Sequence, residues 1–138
     1  MTPKLTIIIV NYNYQVYILD AIKSAMCQTY NNLEIIVVDH SSTDNSDYVI
    51  KNYLDQSEYK KRIIYIRTQK NYGGPSYPRN LGIEKAQGEY ILCLDGDDMI
   101  HPNFVEDGLN LLITNLADFL IPSIKHFGNA NNLENPYE

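Results

Sequence analysis

The chain has 138 residues, of which 44% are hydrophobic and 20% charged, with a formal net charge of −6. That is enough for one packed domain over 1–138 and too little for two, and it is globular rather than disordered material. The acidic balance argues against a general nucleic-acid binder, which needs a basic face, but leaves room for a nucleotide held through a divalent cation.

Cys27 and Cys93 are isolated, each inside an expected regular element. They read as reduced core cysteines of a cytosolic protein rather than a disulfide or a zinc site. The apolar run Ile7–Val10 is too short for a signal sequence, and no stretch approaches the ~20 apolar residues of a membrane span. A cytoplasmic location with no membrane span is therefore expected.

In chain order, Leu5–Val10 (LTIIIV) is a buried strand by its β-branched run. Asn11-Tyr12-Asn13-Tyr14 breaks it. Val16, Leu19, Ile22 and Met26 then recur at helical spacing, predicting a helix from about Gln15 to Cys27. Leu33–Asp39 (LEIIVVD) is a second buried strand. Residues 41–46 are rich in helix-capping types and lead into a helix with Tyr48, Val49, Tyr53 and Leu54 on one side. Arg62–Thr68 is a third strand. The loop Asn71-Tyr72-Gly73-Gly74-Pro75 precedes a short helix beginning near Ser76, with Pro78 tolerated in its first turn. Gly88 is a stop, and Glu89–Leu94 a fourth strand. Pro102 starts a helix with Val105, Leu109, Leu112 and Leu116 three or four apart, and Asp118–Ile124 is a fifth strand. Residues 128–138 are polar and aperiodic.

Strands and helices alternate, and the strands are continuous apolar runs. That predicts an α/β fold, a mostly parallel sheet with helices on both faces. Ligands of such sheets bind outside the carboxyl ends of the strands. The polar and glycine-rich stretches fall there: Asn11–Tyr14, Asp39–Thr43, Asn71–Pro75 and Asp95–Asp98.

Among these ends, Asp95-Gly96-Asp97-Asp98 carries the most specific chemistry. Residues i and i+2 on extended backbone point the same way, so Asp95 and Asp97 can converge. Two hard oxygen donors suit Mg²⁺ or Mn²⁺, which keep other positions for water and phosphate oxygens. Gly96 leaves room for a ligand to approach the backbone. The competing reading is a polar turn, for which Asp-Gly is also a signal.

Several α/β families are excluded by missing motifs. No G-x-G-x-x-G follows the first strand, and neither a P-loop nor a G-x-S-x-G elbow is present. A phosphoacceptor receiver domain would place an acidic pair after strand one and an aspartate after strand three, where this chain has Asn11 and Thr68.

The ordered series IIIVNYN, SAMCQTYNNLEIIVVDHSSTDNS, NYGGPSYPRN and GEYILCLDGDD resembles the family 2 glycosyltransferases of GT-A fold. Those typically read IIIPVYN, S-x-x-x-Q-T-Y, VVDDGSTDNS, N-x-G-x-x-x-A-R-N and GEYILFLDSDD. The resemblance runs from about Leu5 to Pro102. The Gly-Gly-Pro-x-x-Pro-Arg-Asn form of the third motif is also similar to that of teichoic-acid-type N-acetylglucosamine transferases.

The resemblance implies inverting transfer of a sugar from a UDP-sugar to a hydroxyl of a glycan or polyol-phosphate acceptor, with Mn²⁺ or Mg²⁺ as cofactor. It implies that Asp39 accepts a hydrogen bond from the uracil imide and that Val10 and the ring of Tyr12 border the base. Asn71 and Arg79 would contact the nucleotide. Asp95 would face the ribose and a metal-bound water, and Asp97 would bind the metal. Chemically, the leaving diphosphate must be neutralised. A divalent ion does this as a Lewis acid, and Arg79 can add charge-assisted hydrogen bonds. Each residue also has a plainer reading: Asp39 as a cap for the Ser/Thr-rich turn, Arg79 as a surface ion-pair partner, Asn71 and Gly73-Gly74 as a tight turn.

The chain departs from the pattern at several places. Val10 replaces a proline, Pro78 an alanine, His40 the second aspartate of VVDDGS, and Ser41 its glycine. The change at His40 leaves the base reader in place and alters its neighbour. His40, His101 and His126 are scattered and read as structural or exposed.

Two other functions compete with sugar transfer. A nucleotidyltransferase would want a Gly-rich, cationic loop after strand one, where Asn11–Tyr14 has neither. A nucleotide-binding module without turnover is favoured by the short chain. Inverting transfer needs a general base. The acids after Asp98 are Glu106, Asp107, Asp118, Glu134 and Glu138, and none sits in the family's acid motif. The chain is therefore expected to be the nucleotide-binding half of a longer transferase, or a shortened form of one. It is also expected to expose an apolar patch and self-associate.

Overall fold

The structure is a computed structural model that describes residues 2–56 and 62–125. His126, the polar tail over 128–138, and with it Glu134 and Glu138, lie outside the described residues. The elements alternate as β1 (Leu5–Asn11), α1 (Ile18–Met26), β2 (Leu33–Asp39), α2 (Ser46–Gln56), β3 (Ile63–Arg67), α3 (Ser76–Lys85), β4 (Tyr90–Asp95) and α4 (Phe104–Asn115). Two compact units are formed, Met1–Glu106 and Asp107–Glu138.

In the first unit the four strands make one sheet of order β3-β2-β1-β4, and every pairing is parallel. The chain steps outward from β1 to β2 to β3, then returns past the start to place β4 on the other side of β1. With right-handed crossovers, that reversal puts α1 and α2 on one face and α3 on the other. It also makes the carboxyl ends of β1 and β4 the place where the sheet's winding changes direction and a crevice opens.

Burial follows from this order. All seven residues of β1 are buried, and six of seven in β2, as continuous β-branched runs require. Ile8, Val10, Ile36 and Val38 form the core beneath α3, with Leu81 and Ala86 packed on it. Gly82 is required by that contact: a Cβ there would fall 2.4 Å from Ile8 Cγ2. Alternation turns Ile7, Ile9, Ile35 and Val37 to the other face, where α1 contacts β1 and β2 and packs on α2.

The structure corrects several sequence expectations. Val16 is exposed and precedes α1, whose buried face is Ile18, Ala21, Ile22 and Ala25. The face of α2 is centred on Ile50 and Leu54, leaving Tyr48 exposed. Both cysteines are free and exposed rather than buried in the core. Cys27 caps the end of α1, and Cys93 lies on β4, a strand with a neighbour on one side only. No strand forms over 118–124. A strand needs a partner, and among its described residues the second unit holds only the continuation of α4. Phe119, Ile121 and Ile124 are exposed instead. No helix among the described residues is long and apolar enough to cross a membrane.

Candidate functional site

At the crevice lies a cleft of about 360 Å³ lined by Val10, Tyr12, Tyr14, His40, Asn71, Gly73, Gly74, Pro75, Pro78 and Asp95. All four strand-end segments reach it or adjoin it, and register decides which of their side chains do so. Val10 pairs with Asp95 across β1 and β4, so both share the α3 face, where Arg79 of α3 donates from Nη2 to Asp95 Oδ1 at 2.5 Å.

One residue further on, the alternation reverses. Asn11, Asp39 and Arg67 are in register across β1, β2 and β3 and share the opposite face. Asp39 is fully buried there. Its Oδ1 accepts from Asn11 Nδ2 (2.7 Å) and Ser42 Oγ (2.5 Å). Its Oδ2 accepts from the Ser42 N–H (3.1 Å) and faces Arg67 Nη1 (3.4 Å). Four donors occupy the carboxylate, and it does not line the cleft. The side chain that does so at this strand end is the next one, His40.

The loops after β1 and β2 are laced into one wall. The Asn13 N–H donates to Ser42 Oγ at 3.0 Å, and Asn13 Oδ1 accepts from the Thr43 N–H at 2.8 Å. Asn13 and Ser41 take positive φ, 60° and 59°, the left-handed region in which asparagine is enriched. The loop after β3 is shaped by Gly73 and Gly74 at φ 80° and 57° and by Asn71, whose Oδ1 accepts from the Gly73 N–H at 2.6 Å. Asn71 thus lines the cleft and also folds the loop as a turn residue.

Asp97 is half-buried in the turn after β4 and lies near enough to Tyr14 for its charge to act on the phenol. Burial, then the charges of Asp97, Asp95 and Asp98, push the Tyr14 phenol upward, so it stays protonated. Gly96 is glycine for a reason unlike the one read from the sequence. Its N–H donates to Val10 O at 2.8 Å, and a Cβ would stand 2.9 Å from that oxygen and 3.2 Å from Asn11 Oδ1. The turn is pressed against the end of β1.

The residues present fit a divalent ion in a particular way. Among the described residues no group of three or more His, Cys, Asp or Glu forms a complete cage. Asp95 and Asp97 offer hard oxygens alone, which suits Mg²⁺ or Mn²⁺ sharing its coordination with water and phosphates. Arg79 retains a donor: its Nε is buried without a hydrogen-bond partner among the described residues, as is Asn11 Oδ1.

Thus Val10, Tyr12, Asn71 and Asp95 meet in the cleft, Arg79 joins through Asp95, Asp97 lies near the cleft-lining Tyr14, and Asp39 lies beneath it on the other face. Sequence reasoning did not single out Asn11, Tyr14 or Pro75, or give His40 and Pro78 a place in the cleft. Position at the strand ends was the signal available for Asn11, Tyr14, His40 and Pro75, and place in the third motif the signal for Pro78.

The sequence model for glycosyl transferase family 2 matches residues 6–138. The chain belongs to glycosyltransferase family 2. An uncharacterized glycosyltransferase of Haemophilus influenzae is 41% identical over 113 residues, covering 82% of this chain and 44% of that protein. The crystal structure of S. aureus TarS superposes with a TM-score of 0.77 at 28% identity, covering 88% of this chain and 22% of TarS. TarS 1-349 in complex with UDP-GlcNAc superposes with a TM-score of 0.70 at 28% identity, over 80% of this chain and 31% of that one. The fold is therefore the GT-A type, and this glycosyltransferase chain spans under half the length of those proteins.

Proposed function

We propose that this family 2 chain binds a UDP-sugar in the cleft at the β1–β4 crevice and serves the donor side of an inverting transfer to a hydroxyl of a surface glycan or polyol-phosphate acceptor. The donor sugar would be a hexose or N-acetylhexosamine. The observation that carries this reading is the convergence of Tyr12, Asn71 and Asp95 from three separate strand ends on one cleft, on a chain whose structural relative has been seen with UDP-GlcNAc.

In this reading Tyr12, 41% exposed, presents its ring to the base, a contact typically worth about 1–3 kcal/mol in nucleotide complexes. Val10 closes the apolar side. The Asn71–Gly74 loop brings backbone close to the nucleotide. Asp95 and Asp97 would hold Mn²⁺ or Mg²⁺, which when bound supplies positive charge to the departing diphosphate. Tyr14 lies near Asp97, and Arg79 keeps Asp95 oriented while retaining Nε–H for an oxygen acceptor. Asp39 acts from below, fixing Asn11 and Ser42 and so the two loops that frame the base.

Calorimetry against UDP, CDP, GDP and several UDP-sugars, with Mn²⁺ and with EDTA, tests the reading. Selective, Mn²⁺-dependent binding of uridine nucleotides is expected; indifference to base and metal would refute it. Nucleotide-sugar binding without turnover is the second reading. It is favoured by Glu106, an acid after β4 that already accepts from Thr29 Oγ1 at 2.7 Å. UDP-release assays with sugar, polyol and teichoic-type acceptors separate the two. At most slow hydrolysis is expected from this chain alone, and acceptor-stimulated turnover would place the base within it.

A further inference from the structure

His40 stands where the family pattern has an acid, and both of its ring nitrogens are engaged. The Tyr72 N–H donates to Nε2 at 3.0 Å, and Nδ1 lies 3.2 Å from Thr68 Oγ1. The single hydroxyl proton of Thr68 goes to Lys70 O at 3.0 Å, so Oγ1 faces the imidazole as an acceptor. Nδ1 therefore carries the proton and Nε2 is bare. The ring stacks with Tyr72 and Tyr77, centroids 6.1 and 5.8 Å away, and those two rings stack on each other at 4.0 Å. Its own backbone N–H is fixed to Asn11 O at 2.8 Å.

We propose that His40 is a positioning residue that fastens the Asn71–Pro75 loop to the end of β2, and that nucleotide affinity depends on its neutral Nδ1–H tautomer. The inference rests on the nucleotide-binding reading for its ligand and on the geometry alone for the tie itself. Protonating Nε2 would set an N–H against the Tyr72 N–H and remove the one acceptor that holds the loop's backbone at that point. Asn71, Gly73 and Gly74 line the cleft two residues or fewer from this bond, so releasing it loosens the wall a nucleotide would touch.

The groups around the ring favour the neutral form on balance. Burial lowers the His40 pKa from its ordinary value, and Asp39 acts against this. Asp39 itself is paired with Arg67 at 3.4 Å. Lys70 Nζ sits 4.9 Å from the Tyr72 ring centroid. From α3 and β4, Tyr77 stacks on the ring and Asp95 lines the same cleft, already paired with Arg79. A histidine whose folded pKa is depressed contributes fully above the ordinary histidine value of 6.5, and the contribution is lost as pH falls from there through the lower folded value.

The test uses the chain as described, with wild type, His40→Gln and His40→Ala. Gln places an acceptor near the Nε2 position and cannot be protonated. The ligand is UDP-N-acetylglucosamine with Mn²⁺, because a diphosphate diester lacks the terminal phosphate ionisation near pH 6 that UDP carries. Wild-type affinity should fall about three- to tenfold, the scale of one hydrogen bond, as pH is lowered from 7.5 through the depressed His40 value. His40→Ala should be weaker by a similar factor at pH 7.5, and His40→Gln should rescue it with a flat profile.

Without ligand, ¹⁵N NMR should show the Nδ1–H tautomer, and the Tyr72 amide should exchange faster with solvent in His40→Ala. Parallel pH profiles for wild type and His40→Gln, an Nε2–H tautomer, or unchanged Tyr72 exchange would each overturn the proposal. If wild type binds no uridine nucleotide at pH 7.5, the proposed function fails, and the tautomer and exchange measurements still decide the role of His40.

Discussion

Replacing Asp39 with alanine separates two roles for this residue, a base reader and a buried tie. Asp39 is 0% exposed, and its carboxylate engages Asn11, Ser42 twice, and Arg67 within 3.4 Å. Breaking a buried charge pair by deleting one partner costs about 3–5 kcal/mol, chiefly because the other polar groups are left unpaired. Here the survivors keep some partners. Arg67 is about one-third exposed and still donates to Ser42 O at 2.9 Å and faces Asp47 at 3.5 Å. Asn11 Nδ2 keeps Ser42 Oγ at 3.0 Å. The loss therefore belongs at the low end, about 3 kcal/mol. With a urea dependence of about 1–3 kcal/mol per molar for small domains, the unfolding midpoint should fall by roughly 1–3 M. Urea melts followed by circular dichroism measure this, and calorimetry with UDP and CDP is run alongside under folding conditions. Cytosine presents an acceptor where uracil presents its imide N–H. If the midpoint stays put while the preference for UDP over CDP disappears, the carboxylate faces the base and the buried-tie reasoning is refuted.

Other expectations follow from the same geometry. Asp97→Ala should abolish the Mn²⁺ dependence of UDP binding, with Asp98→Ala doing less; equal affinity of wild type in EDTA and in Mn²⁺ would remove the metal site. Tyr14→Phe deletes a hydroxyl that lies near Asp97 and should weaken Mn²⁺-dependent binding by up to about tenfold, with UDP titration at several Mn²⁺ concentrations as the readout. Gly82→Ala drives a methyl to 2.4 Å from Ile8 Cγ2 and should destabilise by about 1–3 kcal/mol through overpacking, read as a lowered thermal midpoint. Glu34 is pushed up by burial but held below its ordinary value of 4.5 by the Gln87 N–H, Thr6 Oγ1 and Lys4. Its contribution is therefore complete above pH 4.5 and lost as pH falls through the lower folded value. Urea midpoints of wild type and Glu34→Gln should differ most above pH 4.5 and converge as pH falls through the lowered Glu34 value.

Much of this molecule was legible one residue at a time. The runs LTIIIV and LEIIVVD are strands because β-branched residues suit a sheet covered on both faces, and β2 ends at the Asp39 where its apolar run stops. Alternation of such runs with helical periodicity implied the parallel sheet, and the polar breaks after each strand marked the end where the cleft lies. Where periodicity was thin, neighbours decided: Val16 and Tyr48 had helical spacing but no surface to pack on, and Asp118–Ile124 had strand composition but no strand to pair with. The side on which each strand-end group falls was beyond local pattern. Asp39 and His40 are adjacent, and a strand turns adjacent side chains to opposite faces. Which of those faces becomes a sealed core row and which a cleft depends on β4 returning to the far side of β1 and bringing α3, the glycine loop and Asp95 to one face. That return pairs β4 with β1, residues that lie 85 positions apart in the chain. Only the strand order, set by how the buried faces pack together, makes Asp39 a tie and His40 part of the wall.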